Sequence, residues 1–429
     1  MNFKKIEIQQ TRSKAQFWIQ LGVALAIFAW VGSLGLFDDF SEPHINMWDE
    51  ATYALNALDQ AKGELSFQLT TEGVKDYYNT KPPLAIWFEA FSIRAFGFNT
   101  FGIRFSSILF AILTSLIVWF VTLRLSNNFI VSILAGCIFL LSPGFIHTHV
   151  ARTGDLDAVV TFFITFYTGI MLLFAFEKIR TDTYVLLFSI ALILAFLAKG
   201  SAGFFMIPSC IFLVFLVRPN ALKSHWFWIP IFAGFTASIT YYFGMAQSDP
   251  NYWEIVYKTE ISRYWDEQAI SWINKPFLFY FDWMRGTGFW PFSLLLPLGL
   301  IPLLLVKTHR KTILAFLSLP LVYLIFISIP SAKMHWYDAA AYPWMALYLA
   351  TSIHLLYETI GAIKPQYKKP FGIVFTAICI FFLFQAQQEV QSNNKTQLTT
   401  ITEMEREGAA ITTLCNNNNL PTHLSIFKT

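Results

Sequence analysis

Charge is scarce in this chain of 429 residues. Asp, Glu, Lys and Arg together make up 13%, about half the share usual in a soluble domain. That scarcity excludes a water-facing globular surface over most of the chain. Cysteine is also scarce: the four residues 137, 210, 379 and 415 lie far apart, and three of them fall in apolar runs. This excludes a disulfide framework and a CxxC metal site. No Rossmann-like glycine pattern and no clear internal repeat stand out, which argues against a soluble nucleotide-sugar fold and against the repeat architecture common in transporters. After the apolar run Phe17–Phe37 there is no small-x-small cleavage site, so the run reads as a retained first helix. What the chain has instead is apolar residues, at 55%, and a mean hydropathy of +0.50. Runs near the length of a bilayer crossing recur throughout, the pattern of an all-α polytopic membrane protein.

The hydropathy predicts about eleven transmembrane helices, at 17–37, 102–123, 128–147, 158–176, 183–198, 202–217, 226–245, 288–306, 312–329, 341–358 and 371–387. The segment 83–96 is apolar but short and contains Glu89 and Arg94. It is expected to lie on the outer face as an interfacial helix with Trp87 at headgroup level; the alternative counts it as a further span. With the N-terminus in the cytoplasm, the inner segments collect Lys4, Lys5, Arg12, Lys14, Arg124, Lys178, Arg180, Arg218, Lys223, Lys307, Arg310, Lys311, Lys364, Lys368 and Lys369. Only Glu7, Glu177, Asp182 and Glu358 stand against them, which is the positive-inside bias. The expected organisation is therefore a transmembrane catalytic domain over 1–388 and a short outer tail over 389–429. The first outer loop covers 38–101 and another outer loop covers 246–287. The expected location is the inner membrane of a bacterium, with the C-terminus on the outer side.

That orientation puts every chemically interesting stretch on one side. The first outer loop carries Asp49 and Glu50, and later Tyr77, Tyr78, Asn79, Thr80, Lys81, Pro82 and Pro83. Asp49 and Glu50 can supply a general base and Lys81 can neutralise an anion, with Pro82 and Pro83 limiting where the lysine points. The alternative for these acids is a solvated loop, with Asp49 capping a short helix near Ala51. The second stretch reads His147-Thr-His149-Val-Ala-Arg152-Thr-Gly-Asp155-Leu-Asp157. A guanidinium beside two carboxylates at the mouth of a span is costly in lipid and marks a site. Asp155 and Asp157 fit a divalent cation, or else helix capping plus an Arg–Asp pair. His147 and His149 fit a metal or simple hydrogen bonding. Lys199 and Lys333 end outer spans against the inside bias for lysine, although a lysine at a span end also snorkels. The aromatic loop 246–287, with Tyr252, Trp253, Trp272 and Trp283, fits an amphipathic cover or an ordinary aromatic belt.

The order of these motifs resembles the integral-membrane GT-C glycosyltransferases of the protein O-mannosyltransferase and lipid A aminoarabinose transferase type. The pieces are Asp49-Glu50; Lys81-Pro-Pro-Leu84 followed by Trp87; Arg152, Asp157, Phe162 and Phe163; Lys199-Gly200; and Lys333, Tyr337 and Pro343. Together they cover about residues 15–350. The chain departs from the family pattern at Ala340, where a second proline is common, and in its short C-terminal tail. The resemblance implies the GT-C fold and inverting sugar transfer from a polyprenyl-phosphate donor to a hydroxyl or phosphate of a lipid A, surface-glycan or protein acceptor. It also implies site roles. Asp49 is the expected base, Glu50 is expected to support it or bind sugar, and Asp157 is expected to act in catalysis by orienting Arg152 or contacting the sugar. Lys81, Arg152, Lys199 and Lys333 are expected at the donor phosphate, and Tyr78, Asp155 and Tyr337 at the substrate. No metal ligand set and no cofactor is assigned, although a divalent cation fits the family. The expected partners are the donor, the acceptor and the bilayer, with no nucleic acid. Two other functions fit a polytopic chain: a lipid-linked glycan polymerase or ligase, and a transporter or flippase of lipid-linked sugars. The charges gathered on one face, rather than at mid-membrane, favour the transferase.

Overall fold

The computed structural model describes residues 14–37, 49–77, 79–146, 149–262 and 274–417, without the side chains of residue 261 and of those beyond 392. Tyr78 and His147 lie outside these residues.

Each of the eleven apolar segments forms helix, but not all are long enough to cross a bilayer. Among the described residues eight helices qualify by length and composition, among them α1 (Lys14–Leu36), α4 (Thr100–Ser126), α7 (Asp157–Ala175) and α8 (Thr181–Lys199). A bent pair, Phe279–Gly288 and Phe292–Leu305, meets at 116°, the shape of a broken span or a re-entrant loop. The two remaining segments are half-length: α5 (Phe129–Leu140) has 12 residues and α9 (Ile207–Val217) has 11. At 1.5 Å per residue each reaches about 17 Å, far short of a ~30 Å hydrocarbon core. Of the eleven expected segments, these two are therefore the short ones among the described residues. The breaks have local causes. After α5, Ser142 and Pro143 interrupt the ladder before the four-residue α6 (Pro143–Ile146). Before α9, Gly200 adopts φ 64° and ends α8, and Arg218-Pro219 closes α9. The helix beginning at Lys368 runs to Asn417, past the expected boundary near 387.

Local sequence sets the connections. The side chain of Asn99 accepts a hydrogen bond from Gly102 N at 2.9 Å and caps α4. Asn127, at φ 52°, ends α4, and the Asn128 side chain accepts from Ile130 N and Val131 N to start α5. Two asparagines thus make a tight helix–helix turn. Gly136 is required in α5 because an added Cβ would fall 2.3 Å from the Phe28 ring of α1. Phe28, Trp119 and Trp344 are fully buried, whereas Trp18, Ile130, Phe232 and Ile373 point outward. Outward apolar side chains are the expected surface of a protein dissolved in lipid.

At one end of the bundle Arg218 pairs with Glu177 at 3.3 Å, Arg124 donates to the Lys178 carbonyl and Lys368 pairs with Glu358 at 3.0 Å. These are groups assigned to the inner side. The other end carries α2 (Asp49–Lys62), a two-stranded hairpin (Thr70–Thr71 with Val74–Lys75) and α3 (Leu84–Phe96). The hairpin is the only sheet among the described residues. α3, at 13 residues, is no span. It lies against α2, where Arg94 donates to the carbonyls of Gln60, Ala61 and Gly63 at 2.7–3.0 Å. Those are the carbonyls the end of α2 leaves open. Trp87 Nε1 donates to the Ser66 carbonyl at 3.1 Å.

Val74, at the hairpin tip, is 68% exposed. In a variant lacking the native cysteines, Val74→Cys should be modified in intact cells by a membrane-impermeant maleimide, as the positive-inside bias requires. Modification only after the membrane is permeabilised would reverse the orientation.

Candidate active site

The site is built around the first turn of α2. Asp49 and Glu50 start that helix, where carboxylates favour the positive end of the dipole. The two diverge from there. Asp49 is half-exposed. Glu50 is fully buried and meets Arg104 of α4 in a bidentate pair, Nε to Oε1 at 2.6 Å and Nη2 to Oε2 at 2.9 Å. Glu50 Oε1 also accepts from the backbone N–H of Gly154 at 2.9 Å. One side chain therefore ties the first outer loop to the second across 104 residues. Gly154 has to be glycine, because a Cβ would meet Ile103 at 2.6 Å.

One helical turn on, Tyr53 receives a hydrogen bond on its hydroxyl from Lys81 Nζ at 3.1 Å. The 75–81 segment that delivers Lys81 is held by amides. Asn56 Nδ2 donates to Asp76 Oδ2 at 2.8 Å, Asn79 Nδ2 donates to Asn56 Oδ1 at 3.0 Å, and Asn79 N donates to Asp76 Oδ1 at 3.1 Å. Positions i and i+3 of a helix are neighbours. Glu50 and Tyr53 therefore draw the Lys81 loop and the Arg152–Asp155 loop to the same face of α2. Arg152 is itself buried.

In the second loop, Asp155 accepts from Thr153 Oγ1 at 2.5 Å and lies 3.3 Å from His149 Nδ1. His149 has a left-handed φ of 71° and stacks on Trp336 at 4.0 Å. A non-glycine residue in that region is strained, a state common at functional sites. Burial pushes the His149 pKa down, but the hydrogen bond and charge of Asp155 and the charges of Asp49 and Asp157 outweigh it and leave the imidazole above its usual value. Asp49, His149 and Asp155 each offer a ligand atom, all within 4.8 Å of one another. An imidazole with two carboxylates suits a divalent cation. A proton and a cation compete for His149.

Asp157 opens α7 and pairs with Lys199 at the end of α8. No side-chain cap is formed at the start of α7, so the ion pair, not capping, occupies Asp157. Lys199 Nζ also lies 6.0 Å from the Tyr337 ring centre. Lys333 stands apart. Its ammonium donates to the carbonyls of Pro330 at 2.5 Å and Lys275 at 2.9 Å, and burial lowers its pKa. The loop after α10 (His225–Gln247) is tied to the hairpin by Lys75–Asp249 at 2.5 Å and to Thr80 by Glu260 at 3.1 Å. Two of these groups, Arg104 and Glu260, escaped the sequence reading. Only Arg104 carried a signal, an arginine within an apolar span.

Breaking the Glu50–Arg104 pair from one side leaves a buried charge. Arg104→Met should cost about 3–5 kcal/mol, seen as a lowered unfolding temperature in detergent, with Glu50→Gln on the same background restoring part of it. An Arg104→Met protein as stable as the parent would contradict this role.

Comparison with known proteins gives a consistent likeness. Residues 80–242 match the family described as dolichyl-phosphate-mannose-protein mannosyltransferase. An uncharacterised protein of Aquifex aeolicus is 28% identical over 319 residues, covering 71% of this chain and 58% of the relative. The undecaprenyl phosphate-alpha-4-amino-4-deoxy-L-arabinose arabinosyl transferase of Yersinia enterocolitica is 26% identical over 268 residues, covering 61% and 47%. The chain spans about half the length of the curated relatives it matches. In structure it resembles ArnT from Cupriavidus metallidurans bound to undecaprenyl phosphate, with a TM-score of 0.60 at 14% identity over 91% of this chain and 76% of that one. The archaeal oligosaccharyltransferase AglB from Archaeoglobus fulgidus follows, with a TM-score of 0.56 at 12% identity over 89% and 56%. The chain is thus a multi-pass membrane protein with the GT-C glycosyltransferase fold, and it resembles the lipid A aminoarabinose transferases.

Proposed function

We propose that this protein transfers a sugar from a polyprenyl-phosphate donor to a hydroxyl or phosphate of an envelope acceptor, with inversion, at the outer face of the inner membrane. The observation that carries the reading is the convergence on α2: a half-exposed carboxylate, Asp49, beside two loops that deliver Lys81 and Arg152. The names of the relatives, an undecaprenyl-phosphate arabinosyl transferase and an oligosaccharyltransferase seen with a dolichol-phosphate, support a lipid-phosphate donor.

The chemistry follows from what such a transfer needs. As the bond from the anomeric carbon to the phosphate oxygen breaks, negative charge grows on the phosphate. Lys81 and Arg152, with Lys199 behind them, stabilise that charge, and the guanidinium can bind two phosphate oxygens at once. On the opposite face of the sugar the acceptor oxygen attacks, and Asp49 takes its proton when the acceptor is a hydroxyl. Glu50 orients and does not react, since both its oxygens are engaged. Asp157 fixes Lys199, and Lys333 fixes the segment leading to Tyr337. A divalent cation held by Asp49, His149 and Asp155 would supply Lewis-acid chemistry beside the acceptor oxygen.

Asp49→Asn and Lys81→Ala test the assignment together, in purified protein with an undecaprenyl-phosphate sugar and envelope lipid extract as acceptor. Asp49→Asn should lower kcat at least about a hundredfold with donor binding kept. Lys81→Ala should cost about 2–4 kcal/mol of transition-state stabilisation. Asp49→Asn at the wild-type rate would remove Asp49 as the base.

A further inference from the structure

Beneath the two loops lies a carboxyl group with no assigned role. Glu89, in the middle of α3, is 3% exposed, and its Oε1 has no hydrogen-bond partner. It sits where three elements meet. Gly154 of the second loop packs directly on it, so closely that a Cβ there would lie 3.3 Å from Glu89 Oε1 and 2.6 Å from Ile103. The charged groups that act on it are Glu50 from α2 and Asp155 from the loop, and the nearby cation on α4, Arg104, is bound to Glu50. The arginine is already gripped by both oxygens of Glu50. On the remaining neighbour, α8, Lys199 is engaged by Asp157.

A carboxylate buried without a counter-ion, beside two other carboxylates, is costly enough that the group keeps its proton instead. Burial first, then the charges of Glu50 and Asp155, hold its carboxyl well above the usual range. A neutral carboxylic acid is a hydrogen-bond donor as well as an acceptor. It also adds no negative charge below a loop whose task is to present Arg152 to a phosphate.

We propose that Glu89 is a positioning residue that works as a neutral carboxylic acid, supporting the Arg152–Asp155 loop from below. The role rests on the transferase reading only for its consequence in turnover. The neutral state rests on the burial, the unpartnered Oε1 and the two neighbouring carboxylates, not on turnover. An ionised Glu89 would repel Asp155 and Glu50 and loosen the backbone contact that Gly154 makes with Glu50.

The test uses the full-length protein in detergent or nanodiscs with two substitutions. Glu89→Gln keeps shape and neutrality and should turn over within about twofold of wild type at neutral pH. Glu89→Ala, which leaves the loop unsupported, should lower kcat at least tenfold with donor KM little changed. Infrared difference spectra of wild type minus Glu89→Gln should show the carbonyl stretch of a protonated carboxylic acid, which requires no turnover. A Glu89→Gln protein as impaired as Glu89→Ala would mean that an ionised carboxylate is needed and would overturn the proposal. So would difference spectra showing only carboxylate bands. If wild type transfers no sugar, the transferase reading fails while the spectra still decide the state of Glu89.

Discussion

The end of the bundle that carries α2 depends on the buried pair between Glu50 and Arg104. Two opposite charges removed from water are stable only when their hydrogen bonds are complete. Here completion comes from the backbone N–H of Gly154, so the pair recruits a distant loop. Asp49 precedes Glu50 by one residue, and Arg152 precedes Gly154 by two. Fixing Glu50 and Gly154 therefore fixes the base candidate and the guanidinium relative to each other. The lysines enter the same frame by shorter links, Lys81 through Tyr53 and Lys199 through Asp157.

Polar links of this kind suit a face between membrane and water. Within the bilayer the bundle is held by packing of apolar side chains, as between Phe28 and Gly136. At the end that carries α2 the loops are held by amide and carboxylate networks: Asn56, Asp76 and Asn79 under Lys81, and Arg94 under the end of α2. The half-length helices Phe129–Leu140 and Ile207–Val217 follow from the same division.

Much of the fold was legible because hydropathy and charge bias act residue by residue. The positions of the apolar segments and the interfacial nature of Leu84–Phe96 follow from run length and from Glu89 and Arg94 within it. The shortening at 140 and 207 was not legible, because a proline or glycine near a span end does not by itself say whether the helix stops or bends. At the site, the motif residues were visible while their environments were not. Asp49 and Glu50 are adjacent and chemically alike, and only the contact with Arg104, 54 residues away, separates them. Lys199 and Lys333 follow the same pattern in sequence, yet one faces a carboxylate and the other faces backbone carbonyls. Such differences belong to tertiary contacts that no local pattern encodes.

The central claim is that the loops gathered by α2 form a single site for a lipid-linked phosphate. A structure of the protein with undecaprenyl phosphate bound tests it most directly. The account predicts the phosphate within hydrogen-bond reach of both Lys81 and Arg152, with Asp49 facing the space beside it. A phosphate bound at the opposite end of the bundle, or held without either residue, would contradict it.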